Sequence, residues 1–155
     1  MTRPSRPACY DKALELLARR AHFRSELRSK LATRGYPDDE IEPTLDRLAQ
    51  DGYLDDRATA AEFVESRLAR GPEGRRRLAA ELGRRGAPED AIEAVLAEQA
   101  AGDDLPAARQ AAERFLRSGR RDPAALARHL DRKGFSRRSI LTLLDELGSA
   151  APPED

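Results

Sequence analysis

A chain of 155 residues with 28 acids and 28 Lys or Arg carries no formal net charge, which argues against binding nucleic acid or a membrane by bulk charge alone. Charged residues make up 36% of the chain and aromatics 5%, with no Trp, so the composition favours helices and excludes a strand-rich domain. The single Cys9 rules out an internal disulfide, and no secretory segment or long apolar run is visible, so a soluble, cytoplasmic protein that does not enter a membrane is expected.

Residues 1–9, rich in proline, read as a flexible stub that includes Cys9. From residue 10 onward one pattern recurs three times: Leu-x3-Leu-x2-basic-Gly, followed by Ile six residues after the glycine. In the first repeat, 10–54, the positions are Leu27, Leu31, Gly35 and Ile41, preceded by an amphipathic segment ending at Leu17. In the second, 55–102, they are Leu78, Leu82, Gly86 and Ile92, preceded by Leu68. In the third, 103–148, they are Leu126, Leu130, Gly134 and Ile140, preceded by Leu116. Residues 149–155 read as a flexible tail.

Physical signals place the helix ends. The basic-Gly pair puts a cation in the last turn and a residue tolerant of positive φ just beyond it, which stops the second helix of each unit. Pro37, Pro88 and Ser136 then restart the chain as a third helix; Gly71-Pro72 closes the fourth helix and Asp122-Pro123 opens the eighth. Third-helix residues Ile41, Thr44, Leu45, Leu48, then Ile92, Val95, Leu96, then Ile140, Leu143, Leu144, Leu147 keep the spacing of one buried face. The expected fold is all-α: a tandem array of three three-helix repeats, about nine helices, elongated and open to curvature. Adjacent units are expected to bury their faces against one another, because a single unit has few large side chains.

With "ALELLARR", "SELRSKLATRGYPDDEIEPTLDRLAQDGYLDD", "AEFVESRLARG", "LAAELGRRG" and "LDRKGFS" in this order, the chain resembles the RecX family, bacterial regulators of the RecA recombinase, from about Ala13 to Leu147. The resemblance implies tandem three-helix repeats. It also implies binding to RecA nucleoprotein filaments, with filament extension, strand exchange and coprotease activity inhibited, in DNA repair, recombination and the SOS response. The chain departs from the family at Thr59, where an aromatic is usual after the Asp pair; Leu54 against Thr59 would make a weaker hydrophobic staple.

Charge follows the repeat. Basic second helices alternate with acidic third helices, and acids in a first turn with bases in a last turn account for much of that pattern. Arg77 and Glu81 stand at pairing distance along one helix. The third unit breaks the rule, since Arg137 and Arg138 stand where the other copies have Asp38-Asp39 and Glu89-Asp90. A positive helix end with exposed N–H groups would suit an anion. The candidate contact residues for a filament or DNA are therefore Arg75, Arg76, Arg77, Arg84, Arg85, Arg117, Arg120, Arg121, Arg128, Arg132, Lys133, Arg137 and Arg138. Direct DNA binding by the third unit, in the manner of a helix-turn-helix, is the alternative; two of the three candidate recognition helices begin with acids, which phosphate would repel.

Catalysis has little to stand on. His22 and His129 lie far apart without ligands at metal spacing, and neither a phosphate-cradling loop nor a nucleophile motif is present. The carboxylates of "DGYLDD" read as a junction: Gly52 ends a helix, Tyr53 and Leu54 pack, and Asp55 or Asp56 caps the next helix. Tyr36, Tyr53 and Phe135 are expected in the core. No enzyme activity, cofactor or metal is expected, and the chain is read as a monomer.

Overall fold

A computed structural model describes residues 6–99 and 103–150, which hold nine helices and no strand. The first unit comprises α1 (Cys9–Leu17), α2 (Arg24–Thr33) and α3 (Asp38–Gln50). The second comprises α4 (Asp56–Arg70), α5 (Arg75–Arg84) and α6 (Glu89–Glu98). The third comprises α7 (Leu105–Arg117), α8 (Pro123–Arg132) and α9 (Arg137–Ser149). Much of the expected N-terminal stub and C-terminal tail lies outside the described residues. Cys9, placed in the stub by sequence, instead opens α1 and is buried in the first core.

The recurring glycine works the same way in each unit. Gly35, Gly86 and Gly134 have φ of 85°, 90° and 84°, and the residue after each returns its N–H to a leucine carbonyl five positions back. These bonds are Tyr36 to Leu31 at 3.2 Å, Ala87 to Leu82 at 3.0 Å and Phe135 to Leu130 at 3.2 Å. This is the Schellman closure, which brings the post-glycine side chain onto the helix it has just left. Tyr36 and Phe135 are accordingly buried. Tyr53 is not: it is 59% exposed although its N–H makes the equivalent bond to Leu48, because Leu54, one residue on, enters the first core and leaves the ring outside the turn.

Three further positions depart from the expected buried faces. Leu147 is 39% exposed, and Ile92 and Leu144 are only partly buried.

Each unit builds its own core. Leu16, Leu27, Leu31, Ile41, Leu45 and Leu48 anchor the first; Val64, Leu78, Leu82, Val95 and Leu96 the second; Phe115, Leu126, Leu130, Phe135 and Ile140 the third. The face-to-face burial between units expected from sequence is absent among the described residues, because each helix already spends its apolar face inside its own unit. Phe23, from the α1–α2 loop, is the exception that crosses over, packing in the second core.

The units meet through ends instead. The start of α2 touches the Gly86 turn, where Ser25 Oγ donates to the Gly86 carbonyl at 2.6 Å. The start of α5 touches the Gly134 turn in the same way, with the Gly74 N–H donating to the Lys133 carbonyl at 2.8 Å. Equivalent segments of the repeat, a second-helix start and a glycine turn, therefore meet at both junctions, through different hydrogen bonds.

The carboxylates of the 51–56 stretch serve the first junction and its surroundings. Asp51 accepts from the Tyr10 hydroxyl at 2.6 Å, and Asp55 caps α4 by accepting from the Ala58 N–H at 3.0 Å. Asp56 reaches across to the start of α2, accepting from the Arg24 N–H at 2.7 Å. Burial pushes the Asp56 carboxyl up, with Asp55 and Asp90 adding to the shift and Arg24 opposing it. One helix start thus caps another, and no two of the three acids share a partner.

Candidate partner interface

The alternating charge of the first unit is consumed internally. Arg24 donates to Glu42 at 3.0 Å and Asp46 at 2.8 Å, and Arg28 pairs with Glu42 at 2.8 Å, so α2 and α3 neutralise each other. Such exposed pairs add little stability, but they leave that face without spare cations.

In the second unit the candidate arginines hold loops and junctions. Arg75 donates to the Leu96 carbonyl, and Arg76 donates to Asp131 Oδ1 at 2.7 Å and to its carbonyl at 2.9 Å, tying α5 to α8. Arg85 lies over the Phe63 and Phe23 rings at 5.1 and 5.8 Å. Arg77 pairs with Glu73 at 3.7 Å, not with Glu81, which is taken by Arg84 at 2.5 Å. This set has structural work of its own.

The third unit differs. Arg117 pairs with Glu113 at 3.6 Å and Arg128 with Asp122 at 3.7 Å. Among the described residues Arg120, Arg121, Arg132, Lys133, Arg137 and Arg138 make no ion pair, and all but the half-buried Lys133 are exposed. With Arg114 of α7, which also makes no ion pair among the described residues, seven cations free of carboxylates within one three-helix unit set it apart from the first unit.

The start of α9 adds a carboxylate that the sequence reading did not place there. Ser136 caps the helix by accepting from the Ser139 N–H at 3.2 Å, and Asp104 from the start of α7 docks on the same turn. Asp104 accepts from the Ser136 N–H at 2.6 Å, the Ser136 hydroxyl at 2.7 Å and the Ser139 hydroxyl at 2.5 Å. The acid that α9 lacks in its own first turn comes from 32 residues away. Arg137 and Arg138 can therefore stand at a helix start without leaving the dipole uncompensated. The cations that this end exposes are the two guanidinium groups.

Burial opposes ionisation of Asp104, but the bonds from Ser139 and Ser136 outweigh it and hold the carboxyl below its ordinary value. A depressed carboxyl contributes stability that is present above the unfolded value, near 3.9, and is lost as pH falls through the folded one. Asp104→Ala is expected to destabilise the third unit by about 1–2 kcal/mol at pH 7, as loss of a helix cap does. Urea denaturation should show the gap from wild type narrowing as pH is lowered to about 3. A gap that stays constant with pH would mean the ionised carboxylate contributes nothing.

The histidines occupy different settings. His22 is buried, with Nδ1 2.9 Å from the Arg20 carbonyl and Nε2 2.9 Å from Lys30 Nζ, so the neutral ring donates at Nδ1 and accepts at Nε2. His129 stacks on Phe115 with ring centroids 4.9 Å apart, at the contact between α7 and α8. Sequence reasoning missed Asp104, Gly74 and the reach of Asp56, all of which act over separations that no local pattern signals.

Comparison with known proteins agrees with this architecture. Family models described as the first and the second three-helix domain of RecX match residues 9–48 and 55–96. The third unit lies outside both ranges. The chain is 44% identical over 133 residues to regulatory protein RecX of Halorhodospira halophila, covering 83% of this chain and 81% of that protein. It is 43% identical to the Mycobacterium avium protein of the same name, covering 79% and 75%, and 36% identical to that of Pelodictyon phaeoclathratiforme, covering 93% and 91%. The crystal structure of RecX from Lactobacillus salivarius superposes with a TM-score of 0.75 at 22% identity, over 91% of this chain and 95% of that one, which speaks to the fold. Three-helix units in tandem, closed by the same leucine–glycine turn and matched over most of their length by these regulators, make this chain a member of the RecX family.

Proposed function

We propose that the chain regulates the RecA recombinase by binding RecA filaments on DNA and limiting their extension, strand exchange and coprotease activity. Beyond family membership, the supporting observation is the set of third-unit cations without carboxylate partners, which leaves one end of the array with an unsatisfied positive surface. A filament offers partner carboxylates together with the phosphates of its bound strand, and charge complementarity of this kind favours encounter and register. Regulation follows from differential binding: a modulator that fits one filament state, or covers the contacts of the next subunit, shifts the population without catalysis. In this reading the chain acts as a monomer in the cytoplasm, without a cofactor, within DNA repair, recombination and the SOS response. No helix among the described residues is long and apolar enough to cross a membrane.

The test is the effect of substoichiometric protein on the DNA-dependent ATPase of RecA and on filament length. Both should fall. ATPase and length that stay level up to equimolar protein would remove the proposal. Direct DNA binding by the third unit is the second reading, favoured by Arg137 and Arg138 at the start of α9, where α3 and α6 begin with acids. Tight binding to naked DNA that weakens steeply with salt, in the absence of RecA, would support that reading.

A further inference from the structure

A second feature of the third unit lies on the side facing Pro72. There α7, the α7–α8 loop and α8 enclose a cleft of about 260 Å³ lined by Arg114, Arg120, Lys133 and His129. No carboxylate lines it, and among the described residues none of the three cations makes an ion pair. The Ser118 hydroxyl at its edge already donates to the Phe115 carbonyl at 2.6 Å, so the site's donors are the charged groups themselves. Phe115 organises them: its ring stacks on His129, and the Arg120 guanidinium lies 5.7 Å from its centroid. Arg114 is held from the far side, because its Nη1 occupies the space beside Gly71 where a Cβ would stand 2.7 Å away.

We infer that this cleft is a binding site for a tetrahedral oxyanion of the phosphate type, in which Arg114, Arg120 and Lys133 hold the oxygens and His129 becomes protonated as the ligand enters. Three fixed cations and a titratable fourth group match a dianion with several acceptor oxygens better than a carboxylate, which brings one charge and two oxygens. The empty cluster repels itself. Every charged group facing His129 is positive: Lys133 and Arg132 on its own helix, Arg120 on the adjoining loop and Arg114 on α7. Burial, then Lys133, Arg132 and Arg120, push the imidazole down from its usual value. A bound dianion reverses that balance, so binding and proton uptake are linked, and affinity rises as pH falls.

The inference extends the interface proposed above for Arg120 and Lys133, but its readout needs no RecA, so the two can fail separately. The probe is inorganic sulfate, a tetrahedral dianion whose charge is constant across the titration of histidine. It is added to the full chain and followed by the NMR titration of the His129 ring. Sulfate should raise the His129 pKa by about one unit, which by linkage is a tenfold gain in affinity between the two protonation states. Arg120→Gln and Lys133→Gln should each weaken sulfate about tenfold, whereas Arg19→Gln, in the turn after α1, should leave it unchanged. Inorganic phosphate and a single-stranded oligothymidine then separate the sources. Equal occupancy per phosphate points to a free anion, and tighter oligonucleotide binding, lost in Arg120→Gln, points to a strand backbone. A His129 titration unmoved by sulfate in the wild-type chain overturns the proposal, as does an equal effect of Arg19→Gln or tighter binding of a polyglutamate peptide than of either phosphate probe.

Discussion

Gly74→Ala is expected to loosen the third unit from the second while leaving the three cores folded. A Cβ at Gly74 would overlap the backbone of the Gly134 turn, meeting the Gly134 carbonyl and the Phe135 nitrogen, and none of these atoms can rotate out of the way. Gly74 has φ −82° and ψ 155°, which any residue adopts, so the effect is one of space and not of backbone strain. The junction has little else to hold it. Its hydrogen bonds are those of Gly74 with Lys133 and of Arg76 with Asp131, beside the packing of Arg114 against Gly71, with no shared apolar core among the described residues. The expected cost is about 1–3 kcal/mol, in the range for inserting a methyl where none fits. Amide exchange at Gly74 should speed up, and denaturation should separate into two steps. Gly83→Ala is the control: it lies inside α5 with nothing within 4 Å of the added carbon, and should stabilise the chain by about 0.5–1 kcal/mol. If both substitutions stabilise alike, the close approach of the two turns is wrong.

This junction marks the boundary of what the sequence makes legible. The repeat could be read because each unit needs the same leucines at helical spacing and the same glycine at the same turn, and both requirements are local. Leu27, Leu78 and Leu126 are all buried, and the three glycines share one conformation. The relation between units could not be read, because it depends on pairs such as Ser25 with Gly86 and Arg76 with Asp131, separated by 61 and 55 residues. Gly74 stands three residues after Gly71 in the break between α4 and α5, and nothing local distinguishes a glycine that ends a helix from one that admits another backbone. Tyr53 shows the same limit at short range, since the turn it follows is the expected one and only the neighbouring Leu54 decides which side chain turns inward.

The candidate site divides in the same way. The sign reversal at Arg137 and Arg138 is visible in the repeat alignment, but its physical explanation is not. Asp103-Asp104 before Leu105-Pro106 reads as the start of α7 and gives no sign that the Asp104 carboxylate faces α9. Most of the second-unit arginines on the candidate list are engaged, a property fixed by Leu96, Asp131, Phe23 and Phe63, which lie on other elements.

Arg137→Glu combined with Arg138→Glu should separate binding from folding. Both side chains are exposed in the first turn of α9 and make no ion pair among the described residues, so no contact of the fold is lost when they change. Acids at that end interact favourably with the helix dipole by about 0.3–1 kcal/mol each, a gain partly offset by repulsion from Asp104. Helicity should therefore stay at the wild-type level by circular dichroism. Filament binding should not, because two reversals replace attraction to phosphate or carboxylate with repulsion; the midpoint for inhibiting the RecA ATPase should rise at least about tenfold at low salt, and the difference should shrink as salt screens it. Asp104→Asn provides the opposite pattern, a loss of stability with the surface arginines still in place. Inhibition by the double glutamate variant at the wild-type midpoint would take the start of α9 out of the interface and leave Arg120, Arg121, Arg132 and Lys133 to carry it. An intermediate shift for the two glutamines at these positions would show that the charge itself, and not the shape of the side chains, is what the partner reads.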